Sequence, residues 1–195
     1  MRELILKMSM TLDGFVGSLD GTNSWLVGGD EESQAWTVDV ISNASLHIMG
    51  SKSFLAMAPF WAVSDLPFAA PMNQIPKAIF SRQGAALLEQ VKTPANAKPG
   101  AESWAQAYVA SSDLSEEIAK LKAQDGKPIV AHAGATFARA LVAAGLVDQF
   151  MLAVHPIALG KGAPLFADLA APLPLKLVSA KAFPGGTMAQ VYRPG

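Results

Sequence analysis

The sequence predicts an α/β protein with a mostly parallel sheet. Short apolar segments of strand length alternate with helical segments along most of the 195 residues. The segment Pro128–Phe166 contains a complete strand–turn–helix–strand unit, the connection that parallel strands require. Near the C-terminus, two strand-like segments flank Pro184-Gly185-Gly186, as in an antiparallel hairpin. We therefore expect a parallel sheet that ends in an antiparallel hairpin.

In the first half of the chain, three strands are predicted, at Leu4–Met10, Leu46–Met49 and Lys77–Ser81. Phe15–Gly17 is expected to continue the first strand across a bulge. Asp30 is positioned to cap a helix from about Glu31 to Asn43, and a second helix begins after Gly50. Pro59–Pro76 contains four prolines and is predicted to be irregular.

In the second half, a short helix at Ala85–Val91 and a loop at Thr93–Glu102 are predicted. Ser112 or Asp113 is expected to cap a helix that reaches about Gln124. The remaining strands are predicted at Tyr108–Ala110, Ile129–Ala131, Gln149–Val154, Lys176–Val178 and Met188–Tyr192.

The composition limits the classes of function. Hydrophobic residues make up 51% of the chain and charged residues 16%, with a formal net charge of −1. We expect one domain over residues 1–195, and a homodimer that covers part of the apolar surface. Lysine and arginine form no stripe, so nucleic acid is not an expected partner. Without cysteine, thiol catalysis and cysteine-ligated metals are excluded.

No apolar run approaches the ~18 residues that a membrane-spanning helix needs. The N-terminal residues also lack the apolar segment of a signal peptide. We therefore expect a soluble, cytoplasmic protein that does not bind membranes.

A ligand site is predicted at the turn Ala133-Gly134-Ala135, between a strand and a helix. Small residues leave the backbone N–H groups of the helix N-terminus uncovered, and the helix dipole adds a partial positive charge. This arrangement suits a phosphate group and indicates a nucleotide-type ligand, although many strand–helix turns use the same residues for close packing.

Several segments, in this order, resemble the dihydrofolate reductase-like superfamily. The best match is the reductase-domain family of bacterial riboflavin biosynthesis and its stand-alone relatives. The matching segments are MSMTLDGFVG, HIMGSKSF, KAIFSR, DLSEEIAKLKAQDGKPIVAHAGATFARALVAAGLVDQFMLAVHPIALGKGAPLF and LVSAKAFPGGTMAQVY. The resemblance implies a three-layer α/β/α fold and an NADPH-dependent reductase acting on a small heterocycle, of the 5-amino-6-(5-phosphoribosylamino)uracil reductase type.

The resemblance also implies cofactor-binding residues at the ends of three strands. They are Gly50, Ser51, Lys52, Ser53, Ser81, Arg82, Ala133, Gly134, Ala135 and Thr136. Relatives often have arginine at the position of Ser51, whereas here Lys52 is the nearby cation. Arg82 is the residue expected to pair with the 2′-phosphate of NADPH, because a guanidinium group matches a phosphate in geometry. Ala133 replaces a glycine that relatives often join to the next glycine by a cis peptide, and its methyl group is expected to face the cofactor channel.

On the substrate side, the resemblance places Trp25 and Asp30 at the border of the pocket. Asp30 either helps to protonate the substrate or only caps its helix, and Trp25 either contacts the substrate or only closes the core. Asp13 also matches the family, although an aspartate before glycine commonly forms a turn.

The three histidines lie on separate predicted strands without ligand-like spacing, so no metal site is expected. His132 is a candidate catalytic residue because it precedes the phosphate turn, although a bystander role is equally open. His47 and His155 are interpreted as satisfied structural residues. A second hypothesis from another class is a nucleotide-binding or dimerisation module that kept the fold without turnover. The departures at Ser51 and Ala133 favour that hypothesis.

Overall fold

The computed structural model describes residues 1–26 and 29–195. Within these ranges there are eight strands: β1 (Leu4–Thr11), β2 (Leu46–Gly50), β3 (Lys77–Phe80), β4 (Tyr108–Ala110), β5 (Ile129–His132), β6 (Gln149–His155), β7 (Leu175–Ala182) and β8 (Met188–Pro194). They form one sheet in the order β4-β3-β2-β5-β1-β6-β8-β7. Neighbours from β4 to β6 are parallel, whereas β8 pairs antiparallel with both β6 and β7. The predicted fold class is confirmed.

The helices are α1 (Glu31–Ser42), α2 (Ser51–Trp61), α3 (Ala69–Gln74), α4 (Glu102–Ala105), α5 (Leu114–Ala123) and α6 (Ala135–Ala143). Short 3-10 helices occupy Ser24–Leu26 and Gly84–Gln90. The carboxylate of Asp113 accepts hydrogen bonds from two N–H groups in the first turn of α5. The cap predicted for this helix is therefore confirmed, and the cap of α1 is described with the site.

One face of the sheet is covered by α5 and α6 and is apolar. Leu4 and Leu6 of β1, Ile129 of β5 and Leu152 of β6 all lie in this core. They pack against side chains of the two helices that include Ile118, Leu121, Leu141 and Val142. Burying each large aliphatic side chain contributes about 1.5–3 kcal/mol, so this face supplies much of the stability.

The opposite face contacts side chains of α1 to α4. Phe54 and Ala58 of α2, Met72 of α3 and Trp104 of α4 are buried in one cluster around β2 and β3. The indole Nε1 of Trp104 donates a 2.8 Å hydrogen bond to the side chain of Asn73, which satisfies the buried polar group. The buried polar side chains of His47, Lys77 and His132 lie on this face of the sheet.

The prediction that Phe15–Gly17 extends the first strand is wrong. Gly14 adopts φ +87°, and the chain reverses there. The N–H of Thr11 donates to the carbonyl of Phe15, and Phe15 forms an isolated antiparallel bridge with Pro164. The segment therefore pairs with the loop that follows β6.

The prediction of an irregular Pro59–Pro76 segment is wrong for its two ends, which belong to α2 and α3, and holds for residues 62–68 between them. Helix α2 continues through Pro59 to Trp61. Pro59 removes one intrahelical hydrogen bond, and the burial of Phe54 and Ala58 against the sheet offsets that loss. Pro71 lies in the first turn of α3, where a proline N–H is not needed.

The predicted loop Thr93–Glu102 ends where the short helix α4 begins. This helix carries Trp104, whose side chain is buried.

Candidate active site

The register of the sheet places basic and hydroxyl side chains on the face opposite α5 and α6. Lys7 of β1 lies beside His132 of β5, and Thr11 of β1 lies beside His155 of β6. Since side chains alternate along a strand, Lys7, Ser9 and Thr11 share this face, while Leu6 and Met8 point into the apolar core.

A cavity of about 590 Å³ opens on this face of the sheet. Its floor comes from the strands and its walls from α1, α2, α3, the segment before α1 and the turn between β7 and β8. Among the described residues, no aspartate or glutamate lines it. The lining residues central to the site are Lys7, Ser9, Gln34, Trp36, Thr37, Met57, Phe60, Trp61, Phe68, His132, His155 and Phe183.

Lys7 places an amine in the floor of this cavity. Desolvation by burial lowers the pKa of Lys7 to about 8. No carboxylate among the described residues forms a salt bridge with Lys7. A partly desolvated cation of this kind favours an anionic partner.

His132 lies next to Lys7 and is buried. Its ring contacts that of His47 edge to face, with 4.4 Å between centroids. Desolvation, followed by the charges of His47, Lys7 and Lys77, lowers the pKa of His132 well below its usual value. His132 is therefore neutral at pH 7, and its buried Nε2 has no hydrogen-bond partner within the described part of the protein. The residue can offer a neutral imidazole to a ligand.

His47 and His155 only partly match their interpretation as satisfied structural residues. The Nε2 atom of His47 bonds to the carbonyl of Ile41 at 2.9 Å, but its buried Nδ1 has no partner in the described residues. His155, by contrast, lines the cavity, and its buried Nε2 has no partner in residues 1–26 and 29–195. No group of three or more potential metal-ligating side chains occurs in those same ranges.

Trp25 supports one wall of the cavity. Its ring contacts His155 edge to face, with 5.4 Å between centroids, and its Nε1 donates to the hydroxyl of Ser18 at 3.2 Å. His155 and the neighbouring Leu26 line the cavity, whereas Trp25 is not among the lining residues. A direct substrate contact by Trp25 remains a prediction.

Asp30 caps α1 and ties it to the C-terminal hairpin. One carboxylate oxygen accepts from the N–H of Ser33 at 3.0 Å, and the other accepts from the N–H of Gly185 at 3.0 Å. Desolvation raises the pKa of Asp30, but the N–H donors outweigh it and the pKa lies below its usual value. This geometry supports the capping role; the proton-donor role remains a prediction.

Asp13 has a structural function beyond its own turn. Its carboxylate accepts from the hydroxyl of Thr11 and from the N–H groups of Leu159 and Gly160. These bonds, led by that of Thr11, lower the pKa of Asp13. Asp13 therefore holds the loop after β6 against the end of β1.

The predicted cofactor residues meet at the carboxyl ends of β3, β2 and β5, which are neighbours in the sheet. Helices α2 and α6 begin here with Gly50 and Gly134 as N-cap residues, and neither has a side-chain cap. Their first-turn N–H groups are thus left for another acceptor. Two such helix starts at one sheet edge suit a ligand with two phosphates.

Close packing explains both glycines. A Cβ on Gly50 would lie 3.3 Å from the Cβ of Phe137, and one on Gly134 would lie 3.0 Å from the hydroxyl of Ser53. The two helix starts therefore touch. His132 directly precedes this turn and also lines the cavity, so the two predicted sites adjoin.

The side chains expected to choose between NADPH and NADH lie at the outer part of this edge. Arg82 and Lys52 are exposed. Ser81 is buried, and its hydroxyl accepts from the N–H of Gln83 at 3.1 Å, which shapes the turn that presents Arg82. In the β5–α6 turn, Ala135 is half-buried and Thr136 is exposed.

Ala133 does not fit the expectation that its methyl group faces the cofactor channel. Its side chain is half-buried and packs against the core on the α5–α6 face. Alternation accounts for this, because the preceding His132 points to the other face. No cis peptide bond occurs in the described residues, so Ala133 joins Gly134 in trans.

Sequence reasoning missed Lys7, Ser9 and the aromatic walls of the cavity. One signal was available for Lys7, a charged residue in the middle of the apolar segment LILKMSM. Alternation places it on the same face as Ile5 and Ser9, but only the strand order shows which residues it meets.

The comparisons with known proteins agree with this architecture. The family model described as the RibD C-terminal domain matches residues 2–189. The chain belongs to this family. The uncharacterized protein YyaP of Bacillus subtilis strain 168 is 29% identical over 191 residues, covering 98% of this chain and 94% of YyaP.

Solved structures of low sequence identity share the fold. A putative riboflavin biosynthesis protein from Shewanella sp. PV-4 superposes with a TM-score of 0.74 at 19% identity, covering 99% of both chains. The deaminase/5-amino-6-(5-phosphoribosylamino)uracil reductase of Thermotoga maritima gives a TM-score of 0.69 at 18% identity, covering 100% of this chain and 57% of the other. Dihydrofolate reductase from Enterococcus faecalis, complexed with NADP(H), gives 0.59 at 10% identity over 99% and 96% of the chains.

Within the described residues, no helix has the length and apolar character needed to cross a membrane.

Proposed function

We propose that the protein is an NADPH-dependent reductase that transfers hydride to a small heterocyclic substrate. The observation that carries the proposal is the adjacency of two features. The uncapped starts of α2 and α6 meet at one sheet edge, and His132 connects that edge to the cavity. Membership of the RibD C-terminal domain family supports the same reaction class.

The residues at the sheet edge fit a pyridine dinucleotide. The N–H groups after Gly50 and Gly134, with the hydroxyls of Ser51 and Ser53, would hold the pyrophosphate. Arg82 would pair with the 2′-phosphate, with Lys52 as a further cation. NADPH would supply the hydride, and the protein would supply alignment and exclusion of water.

On the substrate side, the aromatic walls and the neutral His132 would hold a flat ring near the cofactor edge. Trp25 would stiffen the wall through His155, with which it is in contact. In this proposal His132 contributes a hydrogen bond and Asp30 contributes the fixed start of α1.

Calorimetry with NADPH and NADH tests the proposal first. We expect micromolar binding of NADPH and clearly weaker binding of NADH. Binding of neither nucleotide would overturn the reductase proposal. A positive result leads to a screen of heterocyclic substrates by loss of NADPH absorbance.

A second candidate is a nucleotide-binding or dimerisation module without turnover. The observation that favours it is the absence of an acidic side chain from the cavity lining within the described residues. NADPH binding without oxidation by any compound that fills the cavity would support this candidate, whereas oxidation would exclude it.

We also propose a cytoplasmic homodimer. Strand β7 lies at one edge of the sheet, and its Leu177 and Val178 are exposed. Exposed apolar side chains on an edge strand favour contact with another copy. Light scattering tests the proposal: a monomer at micromolar concentration would contradict it.

A further inference from the structure

We propose that the cavity selects a flat ring that carries an apolar chain, and that Leu26, Phe60 and Leu66 at the cavity mouth bind this chain. The Thermotoga maritima relative is named for a substrate with a phosphoribosyl group, which is a substituent of the opposite character. The identification of the ring compound as the substrate rests on the proposed reductase function. The binding site itself rests on the side chains that line the cavity.

Three large apolar side chains at the cavity mouth are exposed. Leu26 is 42% exposed, Phe60 52% and Leu66 48%, and all three line the cavity. They come from separate segments: the turn before α1, the end of α2 and the link between α2 and α3. Single exposed apolar residues are common on protein surfaces, but a group of them around one opening indicates a surface that a ligand covers.

Aromatic rings in contact with one another form the walls inside this mouth. Trp61 contacts Phe60 and Phe68 edge to face, with 4.7 Å and 6.0 Å between ring centroids. Trp36 of α1 contacts Phe183 before the β7–β8 turn, at 6.3 Å. Rings that are already packed lose little side-chain freedom on binding, and they favour a flat ring as ligand. Since Phe60 belongs to both the wall and the mouth, a ring inside the cavity would continue into a chain at the mouth.

The ionisable groups of the cavity lining lie on the floor and not at the mouth. Among the described lining residues they are Lys7, His132 and His155, which are all on strands. The polar lining residues of α1 are neutral and include Gln34 and Thr37. A phosphate group is bound by arginine, by lysine or by several N–H donors. The mouth therefore lacks the groups that a phosphorylated sugar requires.

Charged residues next to the lining have partners of their own. Asp65 directly precedes Leu66 and forms an ion pair with Lys98. Lys181, near the β7–β8 turn, pairs with Glu32 of α1 at 3.0 Å. A carboxylate thus accompanies each of these cations and weakens its attraction for a phosphate group.

Coumarins that share one ring and differ in the substituent test the selection. 7-Methoxycoumarin reports the ring alone, and 7-butoxycoumarin adds an apolar chain. 4-(Coumarin-7-yloxy)butyl phosphate places a phosphate at the end of the same chain. Fluorescence anisotropy at pH 7 is expected to show 7-butoxycoumarin binding about tenfold tighter than either of the other two, because its chain is partly buried. Equal affinities, tighter binding of the phosphate probe or no binding of any coumarin would overturn the proposal.

Substitutions at the mouth assign the preference to its side chains. Phe60→Ser and Leu66→Ser change exposed residues, so both variants are expected to fold. Each should reduce the affinity ratio of 7-butoxycoumarin to 7-methoxycoumarin about threefold, whereas Phe60→Leu should retain it. Leu12→Ser changes a leucine that is 73% exposed and does not line the cavity, and it should leave the ratio unchanged. Lys7 is present in all these variants and does not contribute to the difference. A ratio that stays unchanged in both serine variants at the mouth would overturn the proposal.

The two proposals fail in different ways. A preference for the butoxy chain without NADPH binding would keep the apolar mouth as a ligand site and remove the reductase. NADPH binding without this preference would keep the reductase and remove the ligand site. Loss of the preference together with a dimer that dissociates in Phe60→Ser would assign the mouth to a second copy of the chain. If both proposals hold, heterocycles with an alkyl or aryl substituent are the first compounds to test as hydride acceptors.

Discussion

The two faces of the sheet carry different kinds of side chain from the same strands. On the α5–α6 face, β1 and β5 present Leu4, Leu6, Ile129 and Ala131, all fully buried. On the other face, the next residues along β1 and β5 include Lys7 and His132, which line a cavity. The alternation of side chains along a strand thus places the apolar core on one face and the cavity on the other.

The polar face lowers the stability of the protein. Buried cations and unpaired imidazole nitrogens reduce stability unless a ligand satisfies them. The apolar face offsets this loss of stability and does not line the cavity. Substitutions at adjacent positions should therefore have opposite effects.

The largest expected effect separates Leu6 from Lys7. Leu6→Ala removes a fully buried side chain and is expected to lower the free energy of unfolding by about 2–5 kcal/mol. Lys7→Met is expected to be at least as stable as the wild type at pH 7, because it removes a desolvated cation. Urea unfolding measures both changes. A large loss of stability in Lys7→Met would break the contrast between the faces.

The difference in stability between the wild type and Lys7→Met should also depend on pH. The folded pKa of Lys7, about 8, lies below its ordinary value of 10.5, so the unfolded chain binds more protons between these values. The lysine therefore makes the wild type gain stability as the pH rises from 8 to 10.5. Lys7→Met should lack the part of this gain in stability that Lys7 contributes. The remaining part comes from Lys77, because burial lowers the pKa of Lys77 to about 7.

The next effect concerns the sheet edge at which we propose that NADPH binds. Arg82→Ala is expected to weaken NADPH binding about 10- to 100-fold, because a charge-assisted pair with the 2′-phosphate is lost. NADH has no 2′-phosphate and serves as the internal control. Calorimetry with both nucleotides measures the change, and an equal loss for both would remove the assigned role. Lys52→Ala tests whether the nearby cation shares that role.

A smaller effect is expected for His132→Leu. The substitution removes a buried Nε2 without a partner in the described residues, so the free energy of unfolding should stay the same or rise. Binding of a flat-ring ligand should weaken, because the cavity loses one of its neutral hydrogen-bonding groups. Parallel urea unfolding and calorimetry separate the two readouts; a clear loss of stability would show that His132 belongs to the core.

The smallest effect is expected for Asp30→Asn. Asparagine can accept from Ser33, but its amide nitrogen cannot accept from Gly185, so the melting temperature should fall modestly. The lowered pKa of Asp30 means that its contribution is present above its unfolded pKa and is lost as the pH falls through the folded pKa. The difference from the wild type should therefore shrink in acid. A fall in NADPH oxidation without a change in stability would instead indicate a proton-donor role.

Much of the architecture was predictable from local signals. The strand–turn–helix–strand unit around Gly134 and the cap at Asp113 depend on neighbouring residues, and both appear as predicted. The helical path through Pro59 was not predictable, because contacts of Phe54 and Ala58 with distant residues outweigh the proline. The reversal at Gly14 depends on pairing with the loop around Pro164, which is distant in the chain.

The fold class, the family and the three turns at the carboxyl ends of β2, β3 and β5 were predictable from the sequence. These follow from periodicity, glycine placement and ordered motifs, which are properties of short segments. By contrast, the meeting of Lys7, His132 and His155 at one cavity and the packing of Ala133 into the core were not predictable from the sequence. These facts depend on strand order and register, which are set by contacts between residues far apart in the chain.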